Sequence, residues 1–116
     1  MRQYLILPHF KKQLKPLCRK YRHLKNDLIE ILEDFNKSEH QTLKNSLYKI
    51  RMKCGDIPRG KNKSFRLIVF LVEIETQNYI IPITIYYKSD KANISLKEIN
   101  KHLEIILFEA RFLQKD

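Results

Sequence analysis

Seven cations crowd the stretch from Lys49 to Arg66 (Lys49, Arg51, Lys53, Arg59, Lys61, Lys63 and Arg66), against one carboxylate, Asp56. Ammonium and guanidinium groups at that density suit a polyanion, because each phosphate contact releases condensed counterions and several contacts together give strong affinity. Where the polyanion is RNA, cleavage by the RNA's own 2′-hydroxyl is one reaction that needs no metal. Attack on the adjacent phosphate leaves a cyclic phosphate and a 5′-hydroxyl. The protein must then remove the 2′ proton, stabilise the added negative charge on phosphorus and protonate the leaving oxygen. Arg66 fits the second task, since its planar fork matches phosphate oxygens and stays charged. Lys88 can add to that charge or return the proton. Tyr86 offers a ring for stacking a splayed base and a hydroxyl to orient it. Lys49, Arg51, Lys53, Arg59, Lys63 and Lys91 are expected to hold RNA phosphates. Each has a plainer reading: Arg66 paired with Asp90 or Asp56, Tyr86 packed in the core, Arg51 and Lys53 protecting an edge strand.

These residues need a sheet to position them. Tyr48-Lys49-Ile50-Arg51-Met52-Lys53 alternates, which puts three cations on one face of a strand. Strands are predicted over about Leu47 to Lys53, Phe65 to Glu75 and Tyr79 to Tyr87, with the doubly apolar Phe65 to Val72 central. Pro82 lacks an amide hydrogen and calls for an unpaired side or a bulge. A turn at Thr76-Gln77-Asn78 would set Glu75 against Tyr79 and Arg66 against Lys88, shifted by a residue if Pro82 bulges. Before these lie a short strand, Gln3 to Leu7, and two helices sharing an apolar stripe from Phe10 to Phe35. Pro16 should kink or restart the first helix, with a junction near His23-Leu24-Lys25-Asn26 and the second helix running to about Asn36. Lys37 to Ser46 is polar and read as a connection. The capping box Ser95-Leu96-Lys97-Glu98 opens a final helix. One of its stripes is Leu96, Ile99, Leu103, Ile106, Ala110 and Leu113. A second, Ile105, Phe108 and Phe112, is either further core or a face for a partner protein. The expectation is a single α+β domain over residues 1–116, with an N-terminal strand and helical hairpin packed on an antiparallel sheet and a C-terminal helix.

A formal charge of +10 and a pI near 9.7 point to nucleic acid or an acidic protein as partner. Cys18 and Cys54 are too few for a disulfide framework and lack zinc-site spacing, so both are expected as reduced thiols. No run is long enough to span a membrane and the N-terminus is unlike a secretory signal, so a cytoplasmic protein is expected. There is no glycine-rich nucleotide loop, nucleophile elbow or HExxH helix, and no cofactor or metal is expected. His9, His23 and His102 are expected to be solvent-facing or capping. His40 is the histidine to test as an acid/base group.

The element order resembles the RelE/ParE superfamily of toxin–antitoxin toxins, and most closely its RelE/HigB-like branch. The resemblance rests on Leu47-Tyr48-Lys49-Ile50-Arg51, on Pro58-Arg59-Gly60-Lys61 before Phe65-Arg66-Leu67-Ile68-Val69-Phe70, and on Ile85-Tyr86-Tyr87-Lys88-Ser89-Asp90-Lys91 followed by Asn93-Ile94-Ser95. It implies a RelE-like fold and a type II toxin: a metal-independent endoribonuclease, an mRNA interferase that cuts messenger RNA at the ribosome and is neutralised by a cognate antitoxin. Lys61 matches the position beside the strand arginine and would be the base, its amine made easier to deprotonate by neighbouring cations. Related toxins often carry two glycines where this chain has Lys63-Ser64. The alternatives are a ParE-like gyrase inhibitor and an RNA-binding domain without chemistry.

Overall fold

The computed structural model describes residues 3–57 and 64–111. In chain order these form β1 (Gln3–Tyr4), α1 (Pro8–Lys20), α2 (Leu24–Glu33), a 3-10 turn (Lys37–Glu39), β2 (Gln41–Lys44), β3 (Leu47–Met52), β4 (Phe65–Ile74), β5 (Gln77–Tyr87) and α3 (Leu96–Arg111). The strands make one five-stranded sheet in the order β1-β5-β4-β3-β2. The fold is α+β, as expected. The sheet is mixed, because β1 lies parallel to β5 while the other pairs are antiparallel.

β4 is the central strand. Phe65, Leu67, Ile68 and Val69 on it are fully buried, so its run of apolar residues matches a strand covered on both faces. On one face, the Tyr21 ring at the end of α1 meets Phe65 edge-on at 5.2 Å and reaches Tyr87 at 6.0 Å. Leu24, Leu28 and Leu32 of α2 are buried with Ile50 and Met52 in the same core. The opposite face carries α3, whose Leu107, Phe108 and Ala110 border a groove with Phe70, Val72 and Ile81. These strand residues have the parity of Arg66, so α3 and the cations share a face.

Three expectations are corrected. Gln41–Lys44 is a strand, not a connection, and it pairs with β3 through a turn at Asn45 and Ser46, both at positive φ. The β4–β5 turn is Glu75-Thr76, with φ of 49° and 68°, so Ile74 faces Gln77 and Arg66 faces Tyr86 instead of Lys88. A two-residue turn with two positive φ angles matches the twist of the flanking strands, which a longer loop does less well. α1 runs through Pro16 without a break. Pro16 and Lys12, whose carbonyl loses its partner there, are both exposed, so the freed carbonyl is open to solvent. The break falls at Tyr21–His23, and α2 stops at Glu33.

Pro82 does sit at a bulge. Val69 pairs with Pro82 and Ile68 with Thr84, leaving Ile83 as the extra residue. The Gln13 side chain bridges this irregularity, donating to the Ile83 carbonyl at 3.0 Å and accepting from Thr84 Oγ1 at 2.6 Å. Ser95 caps α3 by accepting from the Glu98 amide at 3.1 Å. Of the second α3 stripe, Ile105 and Phe108 are exposed, and Phe112 lies outside the described residues. Leu96, assigned to the buried stripe, is exposed as well.

Candidate functional site

The ladder brings the cations together. Arg51 is paired with Arg66 across β3 and β4, and Arg66 with Tyr86 across β4 and β5. Lys49 lies two residues along β3 on the same face. Lys88 continues the series, its amide donating to the Ser64 carbonyl at 3.0 Å one step past the end of β4. Lys49, Arg51, Arg66, Tyr86 and Lys88 thus come from three adjacent strands and occupy one end of the α3-bearing face.

Arg66 is the centre of this group. Only 7% of its surface is exposed, yet no carboxylate pairs with it among the described residues. Its Nη1 donates to Ser64 Oγ at 2.5 Å and reaches the Phe65 carbonyl at 3.5 Å. Asp56, one of the two partners weighed for it, is taken by His23: the Asp56 carboxylate accepts from the His23 amide at 2.7 Å and meets Nδ1 at 2.7 Å. Burial, and then the neighbouring Arg51, push the Arg66 pKa downward, with Tyr86 opposing. A guanidinium remains protonated even so. A buried cation without a counter-ion is costly unless something anionic arrives to meet it.

Tyr86 is 92% removed from solvent, and its hydroxyl has no hydrogen-bond partner among the described residues. Buried phenols normally find one. Burial raises its pKa, Arg66 lowers it and Glu98 raises it, with a net upward shift that keeps the proton on the oxygen. Lys49 moves the other way. Desolvation, then Lys88 and Arg66, lower its pKa, so it gives up its proton more readily than an ordinary lysine.

The remaining predicted residues divide. Lys88 Nζ donates to the Ala92 carbonyl. Lys91 is committed to Glu98 at 2.5 Å and is not a free phosphate contact. Lys53, past the end of β3, lines a groove of about 390 Å³ with Asp27, Glu30, Asp34 and Glu39, whose carboxylates offset its charge. Lys61, Arg59 and Lys63 lie outside the described residues. The loop that leads into that segment is pinned at its base, where Asp27 Oδ2 accepts from the Gly55 amide at 3.0 Å, while Asp56 holds His23. His40 stacks on Phe35 with ring centroids 5.1 Å apart and lines the same groove as Arg51 and Lys53. His9 and His102 are neither solvent-facing nor capping, because they join α1 to α3 through a 2.8 Å ring-nitrogen contact.

Two features of this cluster escape sequence reasoning. The first is the titration of Lys49, which depends on cross-strand neighbours. The second is Ser64, whose hydroxyl orients Arg66; the signal was the serine standing where the resemblance would put a glycine, which has no hydroxyl. A scan of protein-family models gives no match to this chain, and a search of curated proteins gives none either. No helix among the described residues is long and apolar enough to cross a membrane.

Proposed function

We propose that this protein is an endoribonuclease of the RelE/HigB-like toxin type, which cleaves messenger RNA without a metal by attack of the RNA's 2′-hydroxyl. The observation that carries the reading is the cross-strand pairing of Arg66, a buried guanidinium with no counter-ion among the described residues, with Tyr86, whose buried hydroxyl has no hydrogen-bond partner among them. One lacks an anion and the other lacks an acceptor, and a phosphate supplies both.

In this reading the scissile phosphate sits on Arg66, whose donors hold the non-bridging oxygens as negative charge builds on phosphorus. Lys49, with its lowered pKa, takes the 2′ proton; Lys61 has the same role by resemblance. The 2′ oxygen bonds to phosphorus, the bond to the 5′ oxygen breaks, and that oxygen receives a proton from Tyr86 or Lys88. The products are a 2′,3′-cyclic phosphate and a 5′-hydroxyl. Arg51 and Arg59 hold flanking phosphates. So few acid/base groups give only modest catalysis unless the RNA is held in line, which favours the ribosome as the setting. A cognate antitoxin is the expected protein partner. A gyrase inhibitor has no need to bury an arginine against a tyrosine hydroxyl in this way.

End-group analysis of the RNA products tests the chemistry. Fragments with cyclic phosphate and 5′-hydroxyl ends, formed equally in EDTA, are expected. Fragments with 5′-phosphates, or cleavage that EDTA stops, would exclude this mechanism.

A further inference from the structure

The outer face of α3 is apolar and open to solvent. Ile105, Leu107 and Phe108 are 44%, 42% and 56% exposed, a cluster of large side chains that a surface helix ordinarily keeps covered. Beside them a groove of about 540 Å³ opens between the helix and the sheet, floored by Phe70, Val72 and Ile81. It reaches Ile74 at the far end of β4 and shares no residue with the Arg66 cluster.

The order of charges along this face selects an occupant. Glu104, Leu107, Phe108 and Arg111 fall at i, i+3, i+4 and i+7, so they form one stripe along the helix. Its centre is apolar and its ends carry opposite charge. Glu104 and Arg111 are two turns apart, beyond the spacing at which helical charges pair, and neither is in an ion pair among the described residues. The Arg111 guanidinium lies 5.8 Å from the centre of the Phe108 ring, at the rim of the apolar patch. A stripe that reads acid, apolar, apolar, base complements itself when a second identical helix is laid across it antiparallel. A two-fold axis between Leu107 and Phe108 sets Glu104 of each copy against Arg111 of the other, and Leu107 against Phe108, as an isologous contact requires. We propose that this face joins two copies of the chain in a symmetric dimer through antiparallel α3 helices. Exposed ion pairs contribute little affinity, so the apolar centre supplies the attraction and the charges fix the orientation. The proposal does not rest on the nuclease reading, since the two surfaces share no residue.

Sedimentation equilibrium of the full chain from about 1 to about 100 μM reads the dimer constant. The wild-type chain should pass from monomer to dimer across that range. Leu107→Glu puts a carboxylate at the apolar centre and should weaken the dimer by about tenfold or more. Glu104→Arg sets like charges together at both ends of the contact and should weaken it by about as much. Adding Arg111→Glu to that variant restores opposite charges in reversed order, and the dimer should recover to within about threefold of wild type. All three positions are exposed, and circular dichroism checks that each variant is folded. The charge swap is the decisive arm, because a merely structural role for these side chains would not be rescued by it. A chain that stays monomeric across the range, an unaffected Glu104→Arg variant, or a double variant no tighter than the single one would overturn the proposal. So would a monomeric chain whose groove takes up a synthetic helix with Leu at i, i+3, i+4 and i+7, which would assign the face to a different protein.

Discussion

Arg66 and Tyr86 stand directly opposite each other on β4 and β5, one with 7% and the other with 8% of its surface exposed. Among the described residues Arg66 has hydrogen bonds but no counter-ion, and the Tyr86 hydroxyl has no partner. Natural cores avoid such pairs because a buried charge or hydroxyl without a full set of partners costs stability. In the proposed reading the two stand side by side to receive an anion.

Arg66→Met therefore should separate stability from activity. Methionine keeps much of the volume and removes the buried charge, so the melting temperature rises by a few degrees. RNA cleavage falls by about 10²-fold or more, in the range for removing a transition-state charge stabiliser. Thermal unfolding and a cleavage assay on the same preparation check both. A lower melting temperature would mean that Arg66 is a structural residue.

Tyr86→Phe removes only an oxygen that has no partner among the described residues. The melting temperature should stay the same or rise, and the cleavage rate should fall by about 10²-fold. An unchanged rate would leave Tyr86 as packing.

Lys49 sets a pH dependence. A base must be neutral to act, so the rate should climb with pH through the lowered Lys49 pKa, which lies below the ordinary lysine value of about 10.4. Lys49→Arg keeps a cation for phosphate but accepts no proton at these pH values. It should retain RNA affinity, lose about 10² to 10⁴ in rate and flatten that limb of the profile. A pH–rate series for both proteins checks this.

The β4–β5 turn predicts a stabilising change. Glu75 and Thr76 hold φ of 49° and 68°, a region that costs side-chain-bearing residues, the β-branched Thr76 above all. Glu75→Asn with Thr76→Gly relieves this and should add about 1 to 2 kcal/mol, read as a higher melting temperature with cleavage unchanged.

The same turn explains what the sequence hid. Hairpin registers are usually legible from Asn-Gly or Asp-Gly, and neither turn here has glycine, so the β4–β5 turn falls earlier than the expected Thr76-Gln77-Asn78 and β2 carries no turn signal of its own. Alternation and apolar runs were enough to place β3, β4, β5 and the helical hairpin, because burial on one or both faces imposes those patterns. The proline bulge was legible because a missing amide hydrogen has few consequences to choose from. The chemical character of the site was less so. That cations cluster was plain from composition, but whether Arg66 would find a carboxylate depended on where Asp56 went. Its capture by His23 joins positions separated by the whole of α2, β2 and β3. Lys49 looked like one cation among several until the ladder placed it on the same face as Arg66 and Lys88.

The central claim is most directly tested by primer extension on a defined messenger RNA translated in vitro with the purified chain, beside its Arg66→Ala variant. The account predicts discrete cuts within the translated region that require translating ribosomes and vanish in the variant. Intact message with folded wild-type protein, or the same cuts from the variant, would contradict it.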